Sequence, residues 1–188
     1  VEGSLITKKV IAYSLKKLMQ ETPFQKITIR QIMSEAEIRR QTFYDHFQDK
    51  YELLAWIYSQ EISENIQDFL DYEHWTKVVR RILEYFQANQ TFYVNALSVS
   101  EQNSFDKYFF KHTKELLRTI VGDILAEHQF FITEEKIDFV CMFYSHAFVG
   151  LTKDWLLSGC EGSVKTLSHD IGLMLEDSII ANLKKFSL

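Results

Sequence analysis

Apolar residues recur along this chain at intervals of three and four, the spacing that gathers side chains on one face of an α-helix. The pattern predicts nine helices. The first spans Ser4 to Gln20, with Ile6, Val10, Ile11, Ser14, Leu15 and Leu18 as its inward stripe and four lysines mostly outside it. Thr22-Pro23 ends it, because the residue before a proline avoids the helical region. A short second helix runs from Thr28 to about Ala36. Thr28 and Gln31 have capping-box spacing, and Ile27 and Ile32 are placed as a hydrophobic staple. A third helix begins two or three residues later, within Ile38 to Lys50. Its Phe43 and Phe47, four apart, share one face and turn Arg39, Arg40, Gln41, Thr42 and Asp45 outward. Tyr44 and His46 lie near the boundary.

Asp49 opens a long fourth helix, with Glu52 completing a second capping box. It runs to about Phe69 on a face of Leu54, Tyr58, Ile62, Ile66 and Phe69. Asp71-Tyr72-Glu73-His74 is a polar break. Helices follow over Trp75–Gln87, Thr91–Leu97, about Ser104–His128, about Glu134–Ser158 and Ser163–Lys185, with Thr133 as a cap. The eighth is apolar on two faces, one holding Tyr144, Phe148, Leu151 and Trp155, the other Phe139, Phe143, His146 and Gly150. Such a helix must be covered on both sides.

Two short helices joined by a tight turn make a helix-turn-helix, with the second as reader. A helix anchored by a Phe pair and showing Arg, Gln, Thr and a Tyr hydroxyl is equipped to enter a DNA groove. The candidate DNA-contacting residues are Thr28, Arg39, Arg40, Gln41, Thr42, Tyr44, His46 and Lys50. Lys50 falls in the first turn of the fourth helix, where its charge adds to backbone N–H groups facing a phosphate.

The segment AEIRRQTFYDHFQDKYEL resembles the DNA-binding signature of the TetR family of bacterial transcription regulators. Thr42-Phe43-Tyr44, His46-Phe47, Asp49-Lys50 and Leu53 carry the resemblance, and residues 5–55 fit the family's three-helix head. The remaining two thirds fit by length and helical pattern. Glu37 stands where the family usually has Gly in the turn, and Gln41 where it has a small residue. Arg39 to Tyr44 look most like a subgroup that regulates dihydroxyacetone kinase genes or responds to zinc. The resemblance implies an all-α fold: a helix-turn-helix head over residues 1–50 and a ligand-binding and dimerisation domain over 51–188. It also implies a homodimer joined by the last two helices, reading a near-palindromic double-stranded operator. Tyr144, Phe148, Leu151, Trp155, Leu167, Ile171 and Leu175 are the interface candidates. A small molecule or a partner protein would act on the helical body. Phe86, Tyr108, Phe109, His112, Phe143 and His146 are the pocket candidates, aromatic walls with two imidazoles to orient a polar group. By its spacing each reads first as a core residue and second as a pocket wall.

Composition limits the alternatives. The 188 residues are 46% hydrophobic, with fifteen Phe, nine Tyr, six Gly and one Pro, as expected of helices around a bulky core. Net charge is −5, yet residues 1–50 carry nine Lys or Arg against six Asp or Glu, so the basic end is the candidate phosphate face. Cys141 and Cys160 make neither a disulfide framework nor a zinc knuckle. Cys141 and His146 lie about 140° apart around a helix and cannot share a metal from one face. There is no phosphate-binding Gly loop, no His-Glu-x-x-His and no assignable triad, so neither an enzyme, a metal site nor a cofactor is expected. No apolar run reaches membrane-spanning length, and a cytoplasmic protein is expected.

Overall fold

The computed structural model describes residues 2–62, 64, 75–98 and 105–187. Among these, nine α-helices and no strands are found: α1 Glu2–Leu18, α2 Ile29–Glu35, α3 Arg40–Tyr44, α4 Lys50–Ile62, α5 Trp75–Ala88, α6 Gln90–Leu97, α7 Phe105–His128, α8 Glu134–Leu157 and α9 Val164–Phe186. A 3-10 turn, Phe24–Lys26, precedes α2. The expected break at 71–74, the loop at 99–103 and the side chains of Ile66 and Phe69 lie outside the described residues.

The chain divides into two compact units. The first comprises residues 1–65 together with 89–106; the second comprises 66–88 and 107–188. The unit that holds the head therefore extends past the expected boundary at residue 50 and takes in α6. Its core is Ile11, Leu15, Met19, Phe24, Ile32, Phe43, Leu53, Leu54, Ile57, Tyr58, Phe92, Tyr93 and Phe105. Tyr58 meets Phe105 edge-on at 5.0 Å. The expected α1 stripe is corrected at its start: Ile6 is 61% exposed and Val10 38%. Ile6 lies five residues before the buried Ile11, about 140° around the helix, so the two cannot share a face. At the far end of α4, Glu61 pairs with Lys16 and accepts from the Tyr93 hydroxyl at 3.0 Å.

The second unit packs α5 on α9 and α8, and α8 on α9. Phe86 sits edge-on to Phe109 at 5.3 Å, and Phe109 lies 6.2 Å from Phe148. Ser163 caps α9 through the Thr166 N–H. Thr133 occupies the cap position of α8, but its side chain makes no capping bond.

Five of the expected interface residues are interior to the subunit. Tyr144, Phe148, Trp155, Ile171 and Leu175 are at most 8% exposed, and Leu167 is half-buried. Tyr144 is fixed in place by its hydroxyl, which donates to Ser178 Oγ at 2.9 Å and accepts from Asn182 Nδ2 at 2.8 Å. Of that set, Leu151 alone is exposed, at 52%. The open face of α8 is the other one, carrying Phe139, Met142 and Phe143 with Leu151 at its edge; Leu173 and Met174 are exposed on α9.

Candidate DNA-binding surface

The helix-turn-helix is built from local bonds that the sequence announces. Thr28 has extended backbone, and its hydroxyl accepts the Gln31 N–H at 3.2 Å; the Gln31 side chain accepts the Thr28 N–H at 2.9 Å. The capping box is complete, so Thr28 starts α2 and spends its hydroxyl doing so. At the other end of α2, Glu37 has φ 56°. The Ile38 N–H bonds to the Met33 carbonyl at 3.1 Å and the Glu37 N–H to that of Ser34 at 3.2 Å. These are the paired bonds of a Schellman turn, which usually places glycine where Glu37 stands. The turn holds a glutamate in a left-handed conformation that costs about 1 kcal/mol.

Arg39 is the N-cap of α3 by backbone and makes no side-chain cap bond. Phe43 is fully buried and Phe47 is 3% exposed, which pins one face of the reader to the core. Arg39, Arg40 and Gln41 stand on the exposed side, Tyr44 is 45% exposed, and Thr42 and His46 are half-buried. Arg40 Nη2 donates to the Tyr44 hydroxyl at 3.1 Å, with the guanidinium 5.8 Å from the Tyr44 ring centre.

Lys50 has a different environment from the one expected. Its ammonium donates to the carbonyls of Phe24, Gln25 and Ile27 at 2.9, 3.0 and 2.9 Å, and lies 4.7 Å from the Phe24 ring centre. An ammonium has three N–H donors, and all three face the 3-10 turn. The second capping box is also altered. Asp49 caps α4 by accepting from Tyr51 and Glu52 N–H, both at 2.8 Å, while Glu52 reaches the Gln48 N–H at 2.6 Å.

The same 3-10 turn is gripped from a second side by Asn95 of α6. Its carboxamide nitrogen donates to the carbonyls of Met19 at 3.0 Å and Thr22 at 2.8 Å, and its oxygen accepts the Phe24 N–H at 2.7 Å. No spacing in the sequence points to Asn95, because its partners lie more than seventy residues away. Arg30, exposed on the first turn of α2, and Lys26, exposed beside it, add cations that the residue pattern had not singled out.

Residues 15–57 match the family described as "Bacterial regulatory proteins, tetR family", and residues 73–177 match "Transcriptional regulator C-terminal region". The chain belongs to the TetR family. The HTH-type dhaKLM operon transcriptional activator DhaS of Lactococcus lactis subsp. lactis (strain IL1403) is 31% identical over 175 residues, covering 93% of this chain and 92% of its own. A solved structure named dihydroxyacetone kinase operon activator DhaS superimposes with a TM-score of 0.72 at 30% identity, over 98% of this chain and 99% of that one. A TetR transcriptional regulator from Streptococcus agalactiae 2603V gives 0.65 at 24% identity, over 93% and 96%. This TetR-family chain is a transcription regulator and not an enzyme, and it matches the dihydroxyacetone kinase subgroup that its reader residues resemble. TetR-family regulators bind operator DNA and usually dimerise. Among the described residues, no helix is long and apolar enough to cross a membrane.

The pocket candidates of this TetR-family chain do not gather around one space. Phe86 and Phe109 are core residues, and His112 is half-buried. Burial holds the His112 imidazole below its usual range, partly offset by Glu115. Tyr108 and Phe143 are 41% and 58% exposed, and His146, also exposed, lies 4.4 Å from the Phe110 ring. Among the described residues, an apolar cavity lies elsewhere, between Val78, Val79, Ile82, Thr113, Leu116, Leu117, Ile120, Phe148 and Leu175, and has a volume of about 40 Å³. The periodicity of α7 and α8 placed the aromatic residues on helices correctly but could not say which of two apolar faces is covered.

Proposed function

We propose that this chain is a homodimeric, sequence-specific DNA-binding activator that works in the cytoplasm on an operon for dihydroxyacetone phosphorylation. The observation that carries the DNA reading is the outward set Arg39, Arg40 and Gln41 on a helix pinned by Phe43 and Phe47. Thr42, Tyr44 and His46 border it; Thr28 and Lys50 shape the scaffold under it. The named activity of the 31% identical relative supports the choice of operon and the activating sign. Selection of bound duplexes from a randomised pool tests the reading: a near-palindromic motif is expected, with affinity falling steeply as salt rises. Binding that ignores both sequence and salt would refute it.

The dimer is assigned to the open face of α8, with Phe139, Met142, Phe143 and Leu151, and to Leu173 and Met174 of α9. Apolar surface of this kind is costly to leave in water. Phe143→Glu or Leu151→Glu should give folded monomers in sedimentation equilibrium, whereas Phe148→Glu should unfold the chain. A monomeric wild type at micromolar concentration would sink the assignment.

Control enters through the C-terminal unit, and one observation favours a partner protein over a buried small molecule. Among the described residues of this unit, the apolar cavity under α5, of about 40 Å³, is far below the roughly 300–1,000 Å³ of ordinary ligand sites. Phe143 and His146 then pass from the effector set to the dimer face, Tyr108 becomes surface, and Phe86, Phe109 and His112 remain as packing beneath it. An organic effector would have to open the interior around Phe86, Phe109 and His112. Native mass spectrometry of the purified protein separates the two: a stoichiometric organic adduct restores the pocket.

A further inference from the structure

The reader surface carries two side chains that are joined before any DNA arrives. Arg40 is the first residue of α3 and Tyr44 lies one turn on. The Arg40 guanidinium donates one Nη2 hydrogen to the Tyr44 hydroxyl at 3.1 Å, and its central carbon stands 5.8 Å from the ring centre. The Tyr44 ring is in turn set edge-on, 5.6 Å from the ring of Phe43, which is fully buried. A line of contacts thus runs from the core through Phe43 and Tyr44 to a guanidinium at the surface. Among the described residues no carboxylate is ion-paired to Arg40, so none of them neutralises its charge. A guanidinium has five N–H donors; one is used here, and those left include an adjacent pair able to face two acceptors. In the major groove, guanine presents such a pair in O6 and N7.

Resting on the DNA-binding reading above, we propose that Tyr44 is a positioning residue for Arg40, and that together they impose a guanine preference at one base pair in each half-site. A long, mobile arginine loses rotamer freedom when it docks on a base. Tyr44 removes part of that loss beforehand by fixing the guanidinium against a ring that is itself fixed. The hydroxyl therefore acts on which base is chosen, through Arg40. A hydroxyl that bound phosphate would raise affinity for every sequence alike.

The test uses the full-length protein and the duplex that it prefers from a randomised pool, with each base pair then changed singly. Arg40→Ala should erase discrimination at one guanine per half-site, a loss of about ten- to a hundredfold in preference. Tyr44→Phe keeps the ring and its contact with Phe43. It should reduce discrimination at the same base pair by about three- to tenfold and leave every other position within twofold. The double variant should discriminate no worse there than Arg40→Ala alone. Equal weakening by Tyr44→Phe on all duplexes, with the guanine preference intact, would overturn the positioning role while leaving DNA reading in place. A wild type with no preferred sequence would remove both. Thermal unfolding of each variant shows whether the head is still folded.

Discussion

Replacing Asn95 with alanine should destabilise the protein by about 2–3 kcal/mol. One carboxamide makes three bonds, at 2.7, 2.8 and 3.0 Å, to the Phe24 N–H and to the carbonyls of Thr22 and Met19. Each such bond is worth about 0.5–1.5 kcal/mol net, more when its partner is left buried and unsatisfied. Phe24 is fully buried and Met19 is 1% exposed, whereas Thr22 is half-buried and can recover a bond from water. Two bonds at full cost and one at partial cost give the stated figure. For a chain of this length that corresponds to a fall in Tm of roughly 4–12 °C. Asn95→Asp sharpens the argument. It keeps an acceptor for the Phe24 N–H but removes both donors and turns a carboxylate toward two carbonyls, so it should be worse than alanine. Urea and thermal unfolding of the three proteins provide the comparison. If alanine costs under about 0.5 kcal/mol, or Asp is no worse than Ala, the clamp does not hold the turn as described.

Lys50→Met should lower stability by about 2–4 kcal/mol, from three lost charge-assisted bonds, while the salt dependence of DNA binding stays as in wild type; a slope shallower by about 0.9 would instead mean a lost phosphate contact. Glu37→Gly should stabilise the protein by roughly 0.5–1 kcal/mol in urea unfolding, because glycine relieves the left-handed strain at φ 56°. His112 makes stability fall as pH drops below its unfolded value near 6.5. The unfolded chain takes up the proton first, since burial lowers the folded pKa. His112→Gln should flatten stability against pH in that window, and an unchanged profile would remove the assignment.

The elements of the head were legible because their signals are local. Thr28 and Gln31 are three apart, Phe43 and Phe47 four, and the bonds and burial they imply are present. The nine helices were legible for the same reason. Lys50 was not, because its three acceptors lie 23 to 26 residues back and a lysine in a first turn reads equally well as a phosphate ligand. Asn95 was not, because the segment 89–106 joins the head's unit only in three dimensions. Which face of α8 is left open was not legible for a third reason. A helix apolar on two sides leaves periodicity nothing to choose by; on the face that is covered, the Tyr144 hydroxyl bonds Ser178 and Asn182.

The brevity of α3 sets how much address one reader can hold. Five residues, Arg40 to Tyr44, span about 7.5 Å of helix, a little over two base-pair steps at 3.4 Å each. On the proposed reading, flanking side chains such as Arg39 would stretch the span read to about three or four base pairs, or roughly 6–8 bits at about 2 bits each, whereas singling out one site among about a million competitors takes roughly 20 bits. Two readers on a palindrome double the first figure and still fall short. The remainder must be written outside the direct contacts of α3, in the spacing between half-sites, the stiffness of the DNA between them, or a second pair of copies bound alongside.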